Sequence, residues 1–394
     1  MVSGGGKSGC IAFGLVVLVF PLSEEDILQS LGQEAVGSRQ WAVSNKSLTI
    51  VIQAVLYQCF MENSRRSFIK KSSALGAAAS LSTLPFSLLA NSKADLIKIG
   101  IIGLDTSHSP AFTKLFNAEN PKPELAGFRV VTAYPYGSRD IESSYDRIPD
   151  YIKQVQEWGV EITDSIEDLL EKVDVVLLET NDGKPRLEQA RKVIQARKPF
   201  FIDKPVAASY EDTQKIYQEA AENQVPIFSA SSLRYMSNAQ AVRHDGKIGK
   251  VLGCDAFSPA TLEAVHPDLF WYGIHGVEIL FTVMGPGCES VSRVTTPDTD
   301  VVVGKWKDGR IGTFRGTRAG KHEYGGTAFG SEGNLVLGNY EGYEPLAVKI
   351  AEFFKSGNSP VDPAETLEIY AFMEAADESK RRGGGSVEIK SILK

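Results

Sequence analysis

IKIGIIGLDTSH, residues 97–108, is the stretch that decides the fold. Its first six residues form an almost continuous apolar run, which is typical of a strand buried on both faces of a parallel sheet. Ser109-Pro110, a pair favoured as N-cap and first-turn residue, then precedes Phe112 and Phe116 at helical spacing. The stretch therefore predicts a strand, a tight turn and a helix.

The same alternation continues downstream. Further short apolar runs predict strands at 128–133, 173–178, 199–202 and 226–228. Helical segments separate them, for example at 187–196 and 211–222. Repeated strand–helix alternation predicts an α/β fold with a doubly wound parallel sheet, a Rossmann domain, whose ligand lies at the carboxyl ends of the strands.

The segment before this domain has the pattern of an export signal. SRRSFIK at 64–70 contains an arginine pair followed by Phe, and a weakly apolar stretch at 74–90 ends on the small residue Ala90. This predicts a twin-arginine signal peptide over 61–90, the export machinery as a partner, and a periplasmic or otherwise exported protein. The alternative is a chance arginine pair before an ordinary helix.

Residues 1–60 precede this signal, although such signals begin close to the N-terminus. We expect Met61 to be the functional start and 1–60 to be a non-native upstream extension. The apolar run at 11–22 is alternatively a separate anchor, but about a dozen residues are short for a span. No stable membrane span is therefore predicted, and 1–90 is left out of the fold.

The composition and charge of the chain limit the kinds of partner that it can bind. The formal net charge is -7, and Lys and Arg are spread along the chain, so nucleic acid is excluded as a partner. Cys254 and Cys288 are expected to be buried thiols, or to pair if the protein is exported. No CxxC or Cys/His spacing is present, and His108, Asp105 and His275 lack an i,i+4 ligand pair, so no metal site is predicted.

The turn after the first strand departs from the dinucleotide fingerprint, which places glycine at positions 103, 105 and 108. Gly103 is present, but Asp105 and His108 replace the second and third glycines. Asp105 is expected to bring negative charge to the pyrophosphate and weaken binding. Thr106, Ser107 and the helix N-terminus still suit an anion. All five of these residues are candidate cofactor contacts.

Two later loops supply further cofactor candidates. Ser138 and Arg139 follow the second strand, where a dinucleotide binder often has an acidic residue for the ribose. They suit a 2′-phosphate better, and a solvated loop arginine is the alternative. Thr180, at the end of the 173–178 run, is also assigned to the cofactor site.

FIDKP at 201–205, after the fifth predicted strand, resembles the strand-end signature of the Gfo/Idh/MocA oxidoreductase family. Several later segments are similar to other parts of this family: SLRY at 232–235, KIGKVL at 247–252, DGRIGT at 308–313, FGSEG at 329–333 and AADES at 375–379. The resemblance extends over residues 97–394.

The resemblance implies a dinucleotide-binding Rossmann domain at 96–230 and a substrate and oligomerisation domain at 231–394. The second domain is expected to be α/β with an open, mostly antiparallel sheet, in a homo-oligomer. It also implies NAD or NADP, hydride transfer at a hydroxyl of a carbohydrate-like substrate, and cofactor contacts from Asp203, Lys204 and Arg234.

Lys204 and His275 are the catalytic residues that the resemblance implies. In WYGIH at 271–275, the histidine matches the end of the family's Asp-x-x-x-His motif, but Trp271 replaces the aspartate. Asp268 or Glu278 is a possible substitute. A lysine at a strand end and a histidine can together relay the hydroxyl proton while hydride leaves the carbon.

Other interpretations remain open. Lys204 is alternatively a surface turn lysine and His275 a core histidine. Besides a dehydrogenase, the chain is compatible with an NAD-dependent glycosidase that works by oxidation and elimination, or with a non-catalytic metabolite binder. The aromatic cluster around 270–272 and His266 either lines a sugar-stacking cleft or packs in the core.

Overall fold

The computed structural model describes residues 9–12, 15–18 and 96–393. The chain divides into two compact units, Met1–Ala90 and Asn91–Lys394. In the first unit, β1 (Gly9–Ala12) and β2 (Leu15–Leu18) form an antiparallel pair. The predicted start at Met61 and the twin-arginine segment at 64–70 lie outside the described residues.

The second unit begins with a six-stranded parallel sheet of order β5-β4-β3-β6-β7-β8. Its strands are β3 (Ile97–Ile102), β4 (Phe128–Tyr134), β5 (Glu161–Ile162), β6 (Val175–Leu178), β7 (Phe200–Ile202) and β8 (Ile227–Phe228). Its helices are α1 (His108–Phe116), α2 (Glu142–Tyr145), α3 (Ile148–Glu157), α4 (Ile166–Lys172), α5 (Arg186–Gln195) and α6 (Tyr210–Glu222). This is the strand order of a Rossmann fold.

Burial explains why these strands could be predicted from the sequence. All four residues of β6 and all three of β7 are buried, because helices cover both faces of a parallel sheet. The start of α1 needs correction, however. The helix begins at His108 with Ser107 at the N-cap position, and the Ser109 hydroxyl donates to the Gly103 carbonyl instead of capping.

The second half contains a seven-stranded sheet of order β14-β13-β9-β12-β11-β10-β15, in which only the β9–β12 pair is parallel. This confirms the mostly antiparallel sheet. Its strands are β9 (Val251–Pro259), β10 (Cys288–Thr295), β11 (Thr299–Trp306), β12 (Ile311–Thr317), β13 (Gly325–Gly330), β14 (Gly333–Leu337) and β15 (Val387–Glu388).

Helices complete this half. They are α7 (Ser237–His244), α8 (Ile274–Met284), α9 (Glu344–Ser356) and α10 (Pro363–Arg381), with short 3₁₀ turns at Ser232–Tyr235 and Ile389–Ser391 and a π turn at Leu269–Gly273. Every residue of α8 is buried; the helix is mostly apolar, and the charge of its Glu278 is paired with Arg234. The Ser258 hydroxyl on β9 accepts the Gly276 N–H and fixes its first turn.

Helix α9 crosses back to the first sheet. Its buried residues Leu346, Ile350 and Phe353 belong to the same hydrophobic cluster as Ile99 of β3 and Phe228 of β8. The Rossmann half is therefore completed by a helix from the C-terminal part of the chain.

One smaller expectation also has an outcome. Cys254 and Cys288 are both buried and form no disulfide, as expected of buried thiols. Among the helices in the described part of the chain, none combines the length and apolar character needed to cross a membrane.

Candidate functional site

A cleft of about 370 Å³ opens at the carboxyl ends of the parallel strands. Loops after β3, β6 and β7 form one wall, and segments of the C-terminal half form the other. Its lining includes Thr106, Ser107, His108, Arg147, Asn181, Lys204, Ser232, Glu263, Trp271, Tyr272, His275, His322, Tyr324, Tyr340 and Tyr343. The cleft lies where the strand order of a doubly wound sheet reverses, the expected place for a ligand.

The tight turn after β3 still requires the first glycine of the fingerprint. Gly103 has φ +100°, and a Cβ there would lie 2.4 Å from the Thr180 backbone nitrogen, so only glycine fits. The chain then reaches the start of α1, where Thr106, Ser107 and His108 all line the cleft. The N-terminus of this helix therefore faces the site.

Asp105 does not face the cleft, which corrects the expectation that its charge opposes the pyrophosphate. Its carboxylate is fully buried, and Oδ1 accepts the Asn181 N–H at 2.9 Å. Asp105 thus ties the loop after β3 to the loop after β6. Burial raises the pKa of this carboxyl to about 6.

Lys204 follows β7 and lines the cleft, as its position after the fifth strand predicted. The residue is only 6% exposed, and Nζ lies 5.7 Å from the centre of the Tyr272 ring. A surface turn lysine is therefore not what the structure shows. The ammonium group is held against an aromatic ring inside the site.

His275 lines the same cleft from the first turn of α8. Its Nδ1 lies 2.8 Å from Ser231 Oγ, so the serine orients the ring. Burial, with Lys204 and His108 nearby, lowers the pKa of His275 well below its ordinary value. The imidazole is therefore neutral near pH 7.

The two suggested substitutes for the missing motif aspartate are engaged elsewhere. Asp268 forms ion pairs with Arg293 and Lys380. Glu278 pairs with Arg234, which also contacts Glu365 in a buried network. Among the described residues, His275 is therefore oriented by a hydroxyl and not by a carboxylate.

The remaining predicted cofactor residues lie outside the cleft lining. Ser138 is buried and donates to Asp182 Oδ2 at 2.8 Å, and Arg139 is exposed. Thr180 is buried behind Gly103, and Arg234 lies in the network with Glu278. Asp203 is buried beneath the cleft, with its Oδ2 2.7 Å from His108 Nδ1.

Aromatic side chains form much of the second wall. Tyr324 and Tyr340 have ring centres 6.1 Å apart, and Tyr343 follows at 6.0 Å from Tyr340. Trp271 and Tyr272 also line the cleft. The other two members of the suggested aromatic cluster have other contacts: Phe270 packs against Tyr370, and His266 packs against Trp271 and accepts the Gly183 N–H.

Sequence reasoning missed several residues that shape the site. Arg186, at the start of α5, is fully buried and donates to the backbone carbonyls of Leu178, Thr180 and Asp203. It thereby fixes the ends of β6 and β7. Glu179 is fully buried beside Asp203, and burial and that neighbour raise its pKa. The signal available in the sequence was Glu179 itself, an acidic residue directly after a buried strand.

The lining suits a dinucleotide. The start of α1 provides backbone N–H groups and two hydroxyl-bearing side chains where a pyrophosphate is favoured. Arg147, which was not singled out from the sequence, lines the same cleft, and no carboxylate of the described residues pairs with it. Lys204 and His275 also line this cleft.

Comparisons with known proteins agree with the fold of the first half. Residues 97–231 match the family model described as "Oxidoreductase family, NAD-binding Rossmann fold", GFO_IDH_MocA. An uncharacterized oxidoreductase of Streptococcus pneumoniae serotype 4 is 24% identical over 211 residues, which is 51% of this chain and 52% of that protein. The chain thus spans about half the length of the curated relative it matches.

Solved structures share the fold. The scyllo-inositol dehydrogenase of Lactobacillus casei, with bound NAD(H) and scyllo-inositol, has a TM-score of 0.59 at 16% identity, over 75% of this chain and 100% of that one. The myo-inositol dehydrogenase of the same organism, in complex with NAD(H) and myo-inositol, has a TM-score of 0.59 at 16% identity, over 74% and 96%. Residues 97–231 are therefore similar to the NAD-binding Rossmann domain of this oxidoreductase family, and the solved structures share the fold of the chain.

Proposed function

We propose that this chain is an NAD(P)-dependent dehydrogenase that oxidises a hydroxyl of a cyclitol or another sugar-like polyol. The observation that carries the proposal is the convergence of Lys204 and His275 on one cleft at the carboxyl ends of the parallel strands. The start of α1 contributes an anion-binding end to the same cleft.

A bound nicotinamide would accept the hydride from the substrate carbon. The protein's part is to take the hydroxyl proton. His275, neutral near pH 7 and oriented by Ser231, is suited to accept it, while the Lys204 ammonium stabilises negative charge that develops on the oxygen. The two groups form a proton relay in this proposal.

The substrate class follows from the cleft walls. Tyrosine rings offer apolar faces to the C–H faces of a ring, and their hydroxyls offer hydrogen bonds to several substrate hydroxyls. Tyr272, Tyr324, Tyr340 and Tyr343 supply four such rings. The two inositol dehydrogenases of similar fold bind substrates of this kind.

Lys204→Met and His275→Leu test the relay. Each is expected to lower turnover with an inositol or sugar panel by about 10²–10⁴-fold, because proton transfer is lost, while NAD affinity changes little. Lys215→Met, on the outer face of α6, and the exposed His244→Leu are matched controls and should leave both quantities unchanged. The double variant should lose less than the product of the two single losses.

A first measurement separates an enzyme from a non-catalytic binder. Denaturing the purified protein, or titrating it with NAD and NADP, reports whether it binds nicotinamide. Binding without turnover on any polyol would refute the proposed dehydrogenase, and turnover that both variants retain would refute the roles of Lys204 and His275. Release of a free sugar from a glycoside would instead favour the oxidative glycosidase.

We also propose export by the twin-arginine pathway. The support is the arginine pair at 65–66 followed by Phe68 and the weakly apolar stretch at 74–90. Replacing both arginines by lysine is expected to keep the protein in the cytoplasm, because this pathway reads the pair itself. Cell fractionation measures the outcome, and undiminished periplasmic delivery of the variant would contradict it.

A further inference from the structure

Three side chains from three different strand ends converge beneath the cleft. His108 begins α1 after β3, Glu179 follows β6, and Asp203 follows β7. The His108 Nδ1 lies 2.7 Å from Asp203 Oδ2 and 4.0 Å from Glu179 Oε2. One ligand atom from each residue lies within 4.8 Å of the other two.

Among the described residues, three of the four carboxylate oxygens in this cluster are buried without a hydrogen-bond partner, and the fourth, Asp203 Oδ2, pairs with His108 Nδ1. Within the described chain, both oxygens of Glu179 and Oδ1 of Asp203 have no hydrogen-bond partner. Glu179 is fully buried and Asp203 is 2% exposed. The adjacent Arg186 donates to backbone carbonyls and not to these side chains. Such a cluster is costly unless something satisfies it.

We propose that His108, Glu179 and Asp203 form a binding site for one divalent transition-metal ion, with Zn²⁺ or Mn²⁺ as the suited ions. One imidazole nitrogen and two carboxylates are donors that both ions accept. Ligand bonds of about 2.0–2.2 Å at a tetrahedral angle place donor atoms about 3.4 Å apart. The His108–Asp203 distance of 2.7 Å must therefore open and the His108–Glu179 distance of 4.0 Å must shorten, each by roughly 0.5–1 Å.

The ion would lie beneath the cleft. His108 lines the cleft, while its Nδ1 is buried and faces Asp203. The third fingerprint glycine would leave no ligand here, whereas His108 supplies one. Lys204 and Arg186 bring positive charge nearby, so direct bonds from the three ligands must hold the ion. The inference is independent of hydride transfer.

Zinc binding to the chelator-treated protein tests the site without any substrate. Gel filtration followed by elemental analysis is expected to show one Zn²⁺ per chain, with a rise in melting temperature. Glu179→Gln should weaken Zn²⁺ binding by about 10–100-fold or more and remove the rise, since a neutral amide is a poor ligand. His108→Asn should do the same.

Stability without metal separates ligand loss from misfolding. Metal-free Glu179→Gln is expected to be at least as stable as the unmodified protein, because it removes a buried carboxyl without partners. Glu374→Gln on α10, whose carboxylate accepts the Tyr210 N–H, is the matched control and should keep Zn²⁺ binding. His275→Leu should also keep it. Absence of stoichiometric Zn²⁺ and Mn²⁺, or equal binding by Glu179→Gln, would overturn the proposal.

Discussion

At the residue scale, Asp105 shows how the fold accommodates one departure from the glycine fingerprint. It stands where the dinucleotide fingerprint has glycine, yet its carboxyl turns inward and accepts the Asn181 N–H. Its second oxygen has no hydrogen-bond partner among the described residues. In place of the glycine, the chain has an aspartate whose buried hydrogen bond connects two loops. Burying this acid costs free energy of folding.

The pH dependence of stability follows from this burial. The pKa of Asp105 is raised to about 6 in the folded protein, above its value in the unfolded chain. The folded state therefore holds the proton more strongly, so this contribution to stability is present below about pH 4 and is lost as pH rises through about 6.

Asp105→Asn tests this contribution. The amide can still accept the Asn181 N–H but never ionises, so the variant should unfold at a higher temperature than the unmodified protein at pH 8 and equally at pH 4. The difference at pH 8 is up to about 3 kcal/mol. Asp245→Asn, at an exposed aspartate, is the control. A variant that is less stable at pH 8 would show that the ionised carboxylate is required.

The site was only partly predictable from the sequence, for a reason visible at single residues. Lys204 and His275 were assigned because a family motif marks them. Ser231 and Arg186 were not, since their roles depend on contacts 44 residues away to His275 and 17 residues away to the Asp203 carbonyl. No local pattern records such distant partners.

At the element scale, the strands of the parallel sheet were predicted to within about two residues. β6 and β7 are continuous buried runs, and a short apolar run flanked by helices indicates a strand of a parallel sheet. The two-residue strand β5 was missed, because Glu161–Ile162 has no periodicity to read. The π turn at Leu269–Gly273 was missed for the same reason.

Helix α8 allows a sharp test of packing. A Cβ on Gly276 would lie 2.3 Å from a ring carbon of Phe314, in a helix buried along its whole length. Alanine favours helix by about 1 kcal/mol over glycine, but overpacking a sealed core costs about 1–3 kcal/mol.

Gly276→Ala is therefore expected to lower the melting temperature by several degrees and, one residue from His275, to reduce turnover. Gly385→Ala, whose new Cβ would meet only ordinary contacts at 3.5 Å or more, is the matched control and should change neither quantity. A stabilised Gly276→Ala would mean that Phe314 moves freely, contrary to its complete burial.

At the scale of the whole molecule, the two sheets share elements as well as a cleft. Helix α9 lies in the C-terminal part of the sequence, but its Phe353 ring packs 5.0 Å from the Phe228 ring of β8. Tyr343, which precedes α9, lines the cleft. The sequence does not show that α9 packs against the first sheet, because amphipathic periodicity indicates that one face of a helix is buried but not against which sheet.

Phe353→Ala tests whether α9 couples the two halves. Phe353 is 1% exposed, so its removal should cost about 3–5 kcal/mol of unfolding free energy. Because α9 joins the first sheet's core to the wall of the cleft, backbone amides of β6 and of β11 should lose protection from hydrogen exchange by similar factors. Nicotinamide affinity should fall as well. Val336→Ala, at a side chain that is 73% exposed, is the control and should leave exchange unchanged. If protection falls in β6 while β11 keeps its original rate, the halves unfold separately and α9 belongs to the Rossmann half alone.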